Sequence, residues 1–163
     1  MLMGERNNIE AIERTRYSVL TINNSGIKTQ ELALQVADWD RNTARTMIEA
    51  LYLQYGKNIE VIISNNDEMA IGAIEVLQKY GYNKGEGTKT ISVVGVDAIP
   101  QAQELIKQGI MTGSVVQDAQ AMAEVTYTMG MNVVEGRNPI EGIPYGFDST
   151  GVAVRIPYKD MIS

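Results

Sequence analysis

The sequence predicts an α/β protein whose mostly parallel sheet carries helices on both faces. Short apolar runs alternate with segments of helical periodicity, and only short loops separate them. Two of the runs, Ile59–Ile63 and Ile91–Val96, are almost continuously apolar, as strands covered on both faces are. A length of 163 residues predicts one domain with a sizeable core.

The first half of the chain alternates strand and helix. Met1–Met3 resembles the end of a strand and is too short to be a whole one, so we expect a fragment that begins inside a sheet. Ile9–Asn24 has apolar residues at helical spacing before a Ser-Gly stop. Leu32–Val36 is a predicted strand. Arg41–Tyr55 is the clearest helix, because its apolar residues follow the i, i+3, i+4, i+7 pattern.

The second half continues the alternation. Its predicted elements, in chain order, are the strand Ile59–Ile63, a helix from Asp67 to at least Leu77, the strand Ile91–Val96, the helix Ile99–Lys107, the strand Thr112–Val116, the helix Ala119–Glu135 and the strand Val152–Ile156. The inward side chains expected for the last of these helices are Met122, Thr126, Met129 and Val133.

The composition excludes several classes of function. The chain has no cysteine and no histidine, which excludes disulfides, thiolate nucleophiles, histidine acid–base chemistry and the usual zinc sites. A formal charge of −6 argues against a nucleic-acid or anionic-membrane partner. No apolar run approaches the ~20 residues of a membrane span. Gly85-Glu86-Gly87 follows no strand and lacks a third glycine, so a dinucleotide site is not indicated.

Polar residues follow five of the predicted strands. In an open α/β sheet the carboxyl ends of the strands share one edge, where ligands bind. The polar residues at this edge are hereafter called the ridge. They would be Asn8, Glu10, Trp39, Asn66, Asp97 and Gln117. Side chains of these types bind a small polyhydroxylated molecule and catalyse little.

Two of these residues have a competing structural interpretation. Asp97 either caps the following helix or accepts two ligand hydroxyls, since charged acceptors make the stronger hydrogen bonds. Trp39, the single tryptophan, is either a core residue or an aromatic platform. Its position between Asp38 and Asp40 favours the platform, because the apolar face of a pyranose stacks on an indole while polar groups hold the rim.

Two pairs of polar residues close together in the sequence also have competing interpretations. Asn66 and Asp67 are both candidates for the cap of the following helix. We assign the cap to Asp67, because Asp interacts better with the helix dipole, and we assign a ligand contact to Asn66. Glu10 and Arg14 form either an ordinary i,i+4 helix pair or a pair that reaches into the ridge. Arg16 lies on another helix face, where we expect it to be solvated.

Several segments together resemble the C-terminal half of the periplasmic galactose/glucose-binding protein family, within the wider ribose/galactose-binding superfamily. The segments that carry the resemblance are Asp38–Asp40, Val61–Ala73, Val94–Ala102, Gly113–Ala119 and Val152–Tyr158. The resemblance covers nearly the whole chain. It implies the C-terminal lobe of a type I periplasmic-binding-protein fold over residues 1–163, with the alternative left open that residues 119–145 belong to the other lobe.

The resemblance also implies residue roles. Trp39 would stack on one sugar face, Asn66 and Asp97 would hold ring hydroxyls, and Glu10 and Arg14 would lie near the anomeric hydroxyl. The family often has His where this chain has Asn8, Asp where it has Glu10, and Asn where it has Gln117. These departures leave open which hexose is bound.

The family implies a solute receptor of an ABC importer. The expected partners are a monosaccharide, a membrane permease and an N-terminal lobe that is missing here, with the full-length protein exported to the periplasm or lipid-anchored at the cell surface. Glu60 corresponds to the residue that closes a calcium loop in some members, but the acidic loop is absent, so we expect no metal and no cofactor. Self-association of the fragment is also expected, since a missing lobe exposes apolar surface.

Two alternatives remain from the sequence. The effector domain of a LacI-type transcription regulator has the same fold and similar sugar contacts. A flavodoxin-like enzyme or phospho-acceptor domain would use Asp97 as its working carboxylate, with Glu10 as a second acidic group and a metal between them. The Lys and Thr constellation of such domains does not appear, and fold alone says little about function.

Overall fold

A computed structural model describes residues 1–162 and shows alternating strands and helices. The elements are β1 (Leu2–Met3), α1 (Ile9–Asn24), β2 (Gln35–Val36), α2 (Arg41–Tyr55), β3 (Val61–Ile63), α3 (Asp67–Lys79), β4 (Ser92–Asp97), α4 (Pro100–Lys107), β5 (Gly113–Val116), α5 (Ala119–Val134) and β6 (Lys159–Ile162). The predicted α/β class is confirmed. Ser163, the last residue of the predicted domain, lies outside the described residues.

The strands of residues 1–162 form two sheets, and an isolated bridge connects them. In the smaller sheet β1 runs parallel to β2, with Leu2 opposite Gln35. In the larger sheet the order is β3-β4-β5-β6, and β3 runs parallel to β4 with Val61 opposite Ser92. A parallel bridge between Leu2 and Ser64 joins β1 to the end of β3. The first four strands therefore end at one common edge.

The hydrophobic core is centred on α3. Its Ala70, Ile71, Ile74 and Leu77 are all buried, which confirms the stripe that the sequence indicates. Helices α2 and α3 approach closely at Gly72, where a Cβ would overlap the carbonyl oxygen of Arg41. Because α3 begins at Asp67, shortly after β3 ends at Ile63, its start lies at the common edge of the strands.

The chain divides into two compact units. The first comprises Met1–Val115 together with the described residues from Asp160 onward, and the second comprises Val116–Lys159. Within the second unit the buried Asn132 donates from Nδ2 to the carbonyl oxygens of Pro139 (3.0 Å) and Glu141 (2.9 Å). These bonds anchor the loop that follows α5. The assignment of residues 119–145 to another lobe stays a prediction.

Three sequence predictions about elements are corrected. The last strand is Lys159–Ile162 and not Val152–Ile156, where only Val154 forms a bridge, to Phe147. Alternating apolar residues indicate that a segment is compatible with a strand, but it forms one only if a neighbouring strand is available for hydrogen-bonded pairing. Similarly, β2 covers only the last two residues of Leu32–Val36, because its partner β1 offers only two residues for pairing.

The inward face predicted for α5 is also wrong. Met122 and Val133 are 43% and 61% exposed, whereas Val125 and Asn132 are buried. The helix has apolar residues around much of its circumference, so periodicity does not single out one face. A buried asparagine that anchors a loop is invisible to a search for apolar stripes.

Candidate functional site

Asn65 connects three of the elements that meet at the carboxyl edge of the strands. Its backbone N–H donates to the carbonyl oxygen of Leu2 (2.9 Å). Its side chain accepts from the N–H of Gly4 (3.2 Å) and donates from Nδ2 to the hydroxyl of Thr15 (3.1 Å). The segment after β1 and helix α1 are thereby fixed against the end of β3, which sets the framework of the site.

Arg14 reaches from α1 over this edge. Its Nη1 donates to the carbonyl oxygen of Asn65 (2.8 Å) and lies 3.9 Å from Oδ1 of Asp97. Its guanidinium carbon is 5.7 Å from the centroid of the Trp39 ring, a distance at which a cation interacts favourably with an indole. The side chain therefore extends into the ridge and brings three predicted site residues together.

Trp39 is half-buried at the end of β2. Its backbone and that of Asp38 have positive φ values, 64° and 51°, which are uncommon for residues with a side chain. The indole lies against the backbone of Gly4, where a Cβ would overlap the ring. The ring is thus held at the edge of the core with part of its surface exposed.

Asp97 ends β4 in a strained conformation, with φ of 116°, and Ala98 follows at 55°. Burial raises the pKa of the Asp97 carboxyl to about 6, Arg14 lowers it, and the carboxylates of Asp67 and Glu10 raise it further. Backbone strain of this kind collects at functional sites, where the surrounding structure holds it in place. A half-buried carboxylate with an elevated pKa is the most distinctive electrostatic feature of the edge.

The assignment of the helix cap to Asp67 is wrong. Asn66 caps α3 by accepting the N–H of Met69 at Oδ1 (3.0 Å), and its Nδ2 donates to the carbonyl oxygen of Trp39 (3.3 Å). The carboxylate of Asp67 is fully buried and bonds to Ile99 and Ser114 instead. The dipole argument fails here because tertiary partners across the sheet satisfy Asp67. A ligand role for Asn66 stays a prediction.

Three further predicted residues occupy different environments. Asn8 caps α1, since its Oδ1 accepts the N–H of Ala11 (3.0 Å). Glu10 is exposed in the first turn of α1 and lies close enough to Asp97 to raise its pKa. Gln117 follows β5 in the second unit and is half-buried there. Ligand contacts of all three stay predictions.

Sequence reasoning missed four residues that build the edge, namely Gly4, Thr15, Asn65 and Ser114. Asn65 lies in the polar run that follows the predicted strand Ile59–Ile63, so that run was a usable signal, whereas Ser114 lies inside the predicted strand Thr112–Val116. Nothing in the local sequence distinguishes Gly4 from other loop glycines. Its importance depends on a ring supplied from β2.

The assembled edge suits binding more than catalysis. Arg14 offers hydrogen-bond donors, Asp97 offers acceptors and Trp39 offers an aromatic surface, the combination that recognises a polyhydroxylated ligand. Within residues 1–162, no group of three or more acidic side chains is placed to hold a metal ion. Across the same part of the chain, no helix has both the length and the apolar content for a membrane span.

A cavity lies elsewhere in the first unit. Its volume is about 530 Å³, and it opens at the amino end of the strands between α1, α2, residues 28–33 and β3. None of the seven predicted site residues lines it. We place the candidate site at the carboxyl edge, because the polar groups and the strained backbone converge there.

The chain matches the model of a family described as the periplasmic binding protein domain over residues 1–138. The D-galactose/methyl-galactoside binding periplasmic protein MglB of Haemophilus influenzae is 34% identical over 159 residues, which are 97% of this chain and 45% of that protein. The ribose import binding protein RbsB of Bacillus subtilis is 30% identical over 110 residues, 68% of this chain and 33% of that protein.

A solved structure of an ABC transporter solute binding protein from Bacillus halodurans, with bound myo-inositol, has a TM-score of 0.73 and 26% identity. It aligns with 99% of this chain, which covers 50% of that structure. The chain thus spans about half the length of the relatives it matches. These relatives are solute-binding proteins and not enzymes, so neither the regulator nor the flavodoxin-like alternative is favoured.

Proposed function

Because this chain belongs to the periplasmic binding protein family, we propose that it forms one sugar-binding lobe of the solute receptor of an ABC importer. The lobe binds a monosaccharide and does not transform it. The carboxyl edge of the strands forms one wall of the binding cleft, and a second lobe supplies the opposite wall. Closure of two lobes around a ligand is a hinge motion of this fold type.

The observation that carries the proposal is the convergence of Arg14, Trp39 and Asp97. They come from α1, the end of β2 and the end of β4, and they meet within about 6 Å of the guanidinium. Two of the three are held in strained backbone conformations. A structural ion pair would not require an aromatic ring and a strained carboxylate at the same place, whereas a sugar site uses both.

We propose a galactose- or glucose-like hexose as the ligand. The galactose/methyl-galactoside binding protein of Haemophilus influenzae matches 97% of this chain, and the indole of Trp39 suits the apolar face of a pyranose. Other relatives are described as binding ribose or myo-inositol, which supports the wider class of small polyols. Asn8, Glu10 and Gln117 are the residues that we propose decide which member of that class binds.

The proposed partners follow from the same role. They are a monosaccharide, a second lobe and an ABC permease in the membrane, with the full-length protein outside the cytoplasm. Self-association is proposed for this chain by itself, because Ile9, Leu53 and Val134 are each more than 70% exposed. Removing exposed apolar surface from water favours association.

Sugar titrations of the chain test the proposal. A complete receptor that binds near 1 μM has a binding free energy of about −8 kcal/mol, and a single wall that supplies half of it would bind near 1 mM. We expect saturable and stereoselective binding in that range by calorimetry, with a parallel change in Trp39 fluorescence. Galactose and glucose should bind more tightly than ribose and myo-inositol.

Two results would contradict this proposal. Micromolar affinity in the isolated chain would show that no second wall is needed. The absence of any stereoselective response at concentrations far above the expected Kd would remove the sugar-binding role. Trp39→Leu provides the matched control for the fluorescence signal, because it removes the single tryptophan.

A further inference from the structure

The turn that presents Asp97 is under conformational strain. Asp97 and Ala98 are consecutive non-glycine residues with positive φ, 116° and 55°. Such conformations persist only where surrounding contacts hold them. The carboxylate of Asp97 therefore depends on whatever fixes this turn.

Two buried side chains hold the turn from below. The Ser114 hydroxyl oxygen accepts the N–H of Ala98 (3.1 Å), and the hydroxyl donates to Oδ1 of Asp67 (2.7 Å). Oδ2 of Asp67 accepts the N–H of Ile99 (2.9 Å). Asp67 and Ser114, hereafter the clamp, thus bind two consecutive N–H groups of the strained turn.

The clamp is built into the core. Asp67 is 0% and Ser114 4% exposed, and burial raises the pKa of Asp67. A Cβ at Gly95 would overlap Oδ1 of Asp67, so β4 passes directly over the carboxylate. A buried carboxylate is unfavourable unless hydrogen bonds compensate it, and here the hydroxyl of Ser114 and the N–H of Ile99 in the turn compensate it.

The usual role of an aspartate at a helix start does not explain Asp67. Asn66 already caps α3 through the N–H of Met69. The carboxylate points across the sheet and not along the helix, since its partners are Ile99 and Ser114. Its contacts are those of a support for the turn after β4.

We propose that Asp67 and Ser114 are positioning residues that fix the carboxylate of Asp97 for ligand binding. The ligand-binding clause rests on the proposed function, whereas the fixing of the turn does not. The charged groups that face Asp97 are Arg14 and Glu10 from α1 and Asp67 from α3. The clamp therefore acts on Asp97 both through the backbone and through charge.

Ligand-free NMR on the full chain tests the fixing of the turn. In Ser114→Ala we expect amide exchange of Ala98 to rise about tenfold or more, as the N–H loses its acceptor. In Asp67→Asn we expect faster exchange at Ile99 and a lower pKa of the Asp97 carboxyl, because a nearby negative charge is removed. The pKa change reports the charge of Asp67, whereas the exchange rates of Ala98 and Ile99 report how firmly the turn is fixed.

Matched variants control for charge and for hydroxyl loss. Asp38→Asn removes an exposed carboxylate from the end of β2, and Ser92→Ala removes an exposed hydroxyl from β4. Both should leave the exchange of Ala98 and Ile99 unchanged. Ser114→Thr keeps the hydroxyl and should restore slow exchange at Ala98. If Asp67→Asn does not fold, the Ser114 variants decide the question alone.

Sugar titration of the same variants tests the ligand clause. We expect affinity to fall about tenfold in Ser114→Ala and to recover in Ser114→Thr. Unchanged exchange at Ala98 and Ile99 in folded clamp variants would overturn the proposal. A loosened turn with unchanged affinity would overturn its ligand clause. If the wild-type chain binds no sugar, the proposed function fails, while the exchange data still decide whether the clamp fixes Asp97.

Discussion

Nη1 of Arg14 lies 3.9 Å from Oδ1 of Asp97 while it donates a 2.8 Å hydrogen bond to the carbonyl oxygen of Asn65. The guanidinium is therefore anchored by the neutral backbone at the end of β3 and faces the carboxylate at the end of β4. At this separation the two charges attract each other without a short hydrogen bond between them.

Asp97→Asn should make stability less sensitive to pH. The folded pKa of Asp97 is about 6, above the unfolded value of about 3.9. The wild type therefore loses stability as pH rises from about 4 to about 6, and the variant does not. Above pH 6 we expect the variant to be more stable by on the order of 2 kcal/mol, with the difference vanishing below pH 4.

Denaturant unfolding of both proteins across this pH range measures the effect. Asp38→Asn, which alters an exposed carboxylate, should follow the wild-type curve. In sugar titrations, wild-type affinity should fall as pH drops through about 6, since a protonated Asp97 is a weaker acceptor. If the unfolding free energies of the wild type and Asp97→Asn changed in parallel with pH, the elevated pKa of Asp97 would be contradicted.

Arg14→Met should destabilise the protein by about 1–2 kcal/mol, because the carbonyl oxygen of Asn65 loses a charged donor. It should also raise the pKa of Asp97, since Arg14 lowers that value in the wild type. Carboxyl NMR titration and thermal unfolding measure the two effects. Arg16→Met is the matched control, because Arg16 is 66% exposed and surface changes stay within about 0.5 kcal/mol.

Gly4→Ala should displace the Trp39 ring, because the new Cβ would overlap it. We expect a red shift of tryptophan emission, weaker sugar binding and a loss of about 1–3 kcal/mol, as in other overpacked sites. Gly130→Ala is the comparison, since no heavy atom lies near its Cβ position within α5. That variant should gain about 0.5–1 kcal/mol. An unshifted emission spectrum in Gly4→Ala would refute the packing argument.

Asn66→Ala should lose the cap of α3, a change of about 1 kcal/mol, and should also weaken sugar binding. Asn66→Asp keeps a capping oxygen but loses the amide donor that bonds to Trp39. It should therefore retain more stability than Asn66→Ala. Chemical denaturation of both variants measures the capping effect, and sugar titration of both measures the ligand effect. Equal stability of wild type and Asn66→Ala would contradict the capping assignment.

Helix bounds were the most predictable feature of this fold. Helices α1 and α2 span the predicted residues, because helical periodicity and local stop signals are encoded within the helix itself. Strand bounds were less predictable, since a strand extends only as far as its partner. The two-residue β2 and the displaced β6 both follow from pairing.

The candidate site was predicted in outline only. The topological rule that parallel strands end together correctly brought Trp39 and Asp97 to one edge. The supporting groups could not be predicted, because Asn65, Asp67 and Ser114 act through contacts with elements far away in sequence. That Asn66 and not Asp67 caps α3 shows that the tertiary hydrogen bonds of a buried carboxylate outweigh its interaction with the helix dipole.

The sequence by itself determined the α/β class, the alternation of elements and the polar residues at the strand ends, because these depend on periodicity and on short-range chemistry. Only the tertiary structure decided that Arg14 meets Asp97 and Trp39, that Asn66 caps α3 and that Asp67 supports the strained turn. The physical reason is burial. Once a charged or amide group is removed from water, the partners that it finds across the fold determine its role.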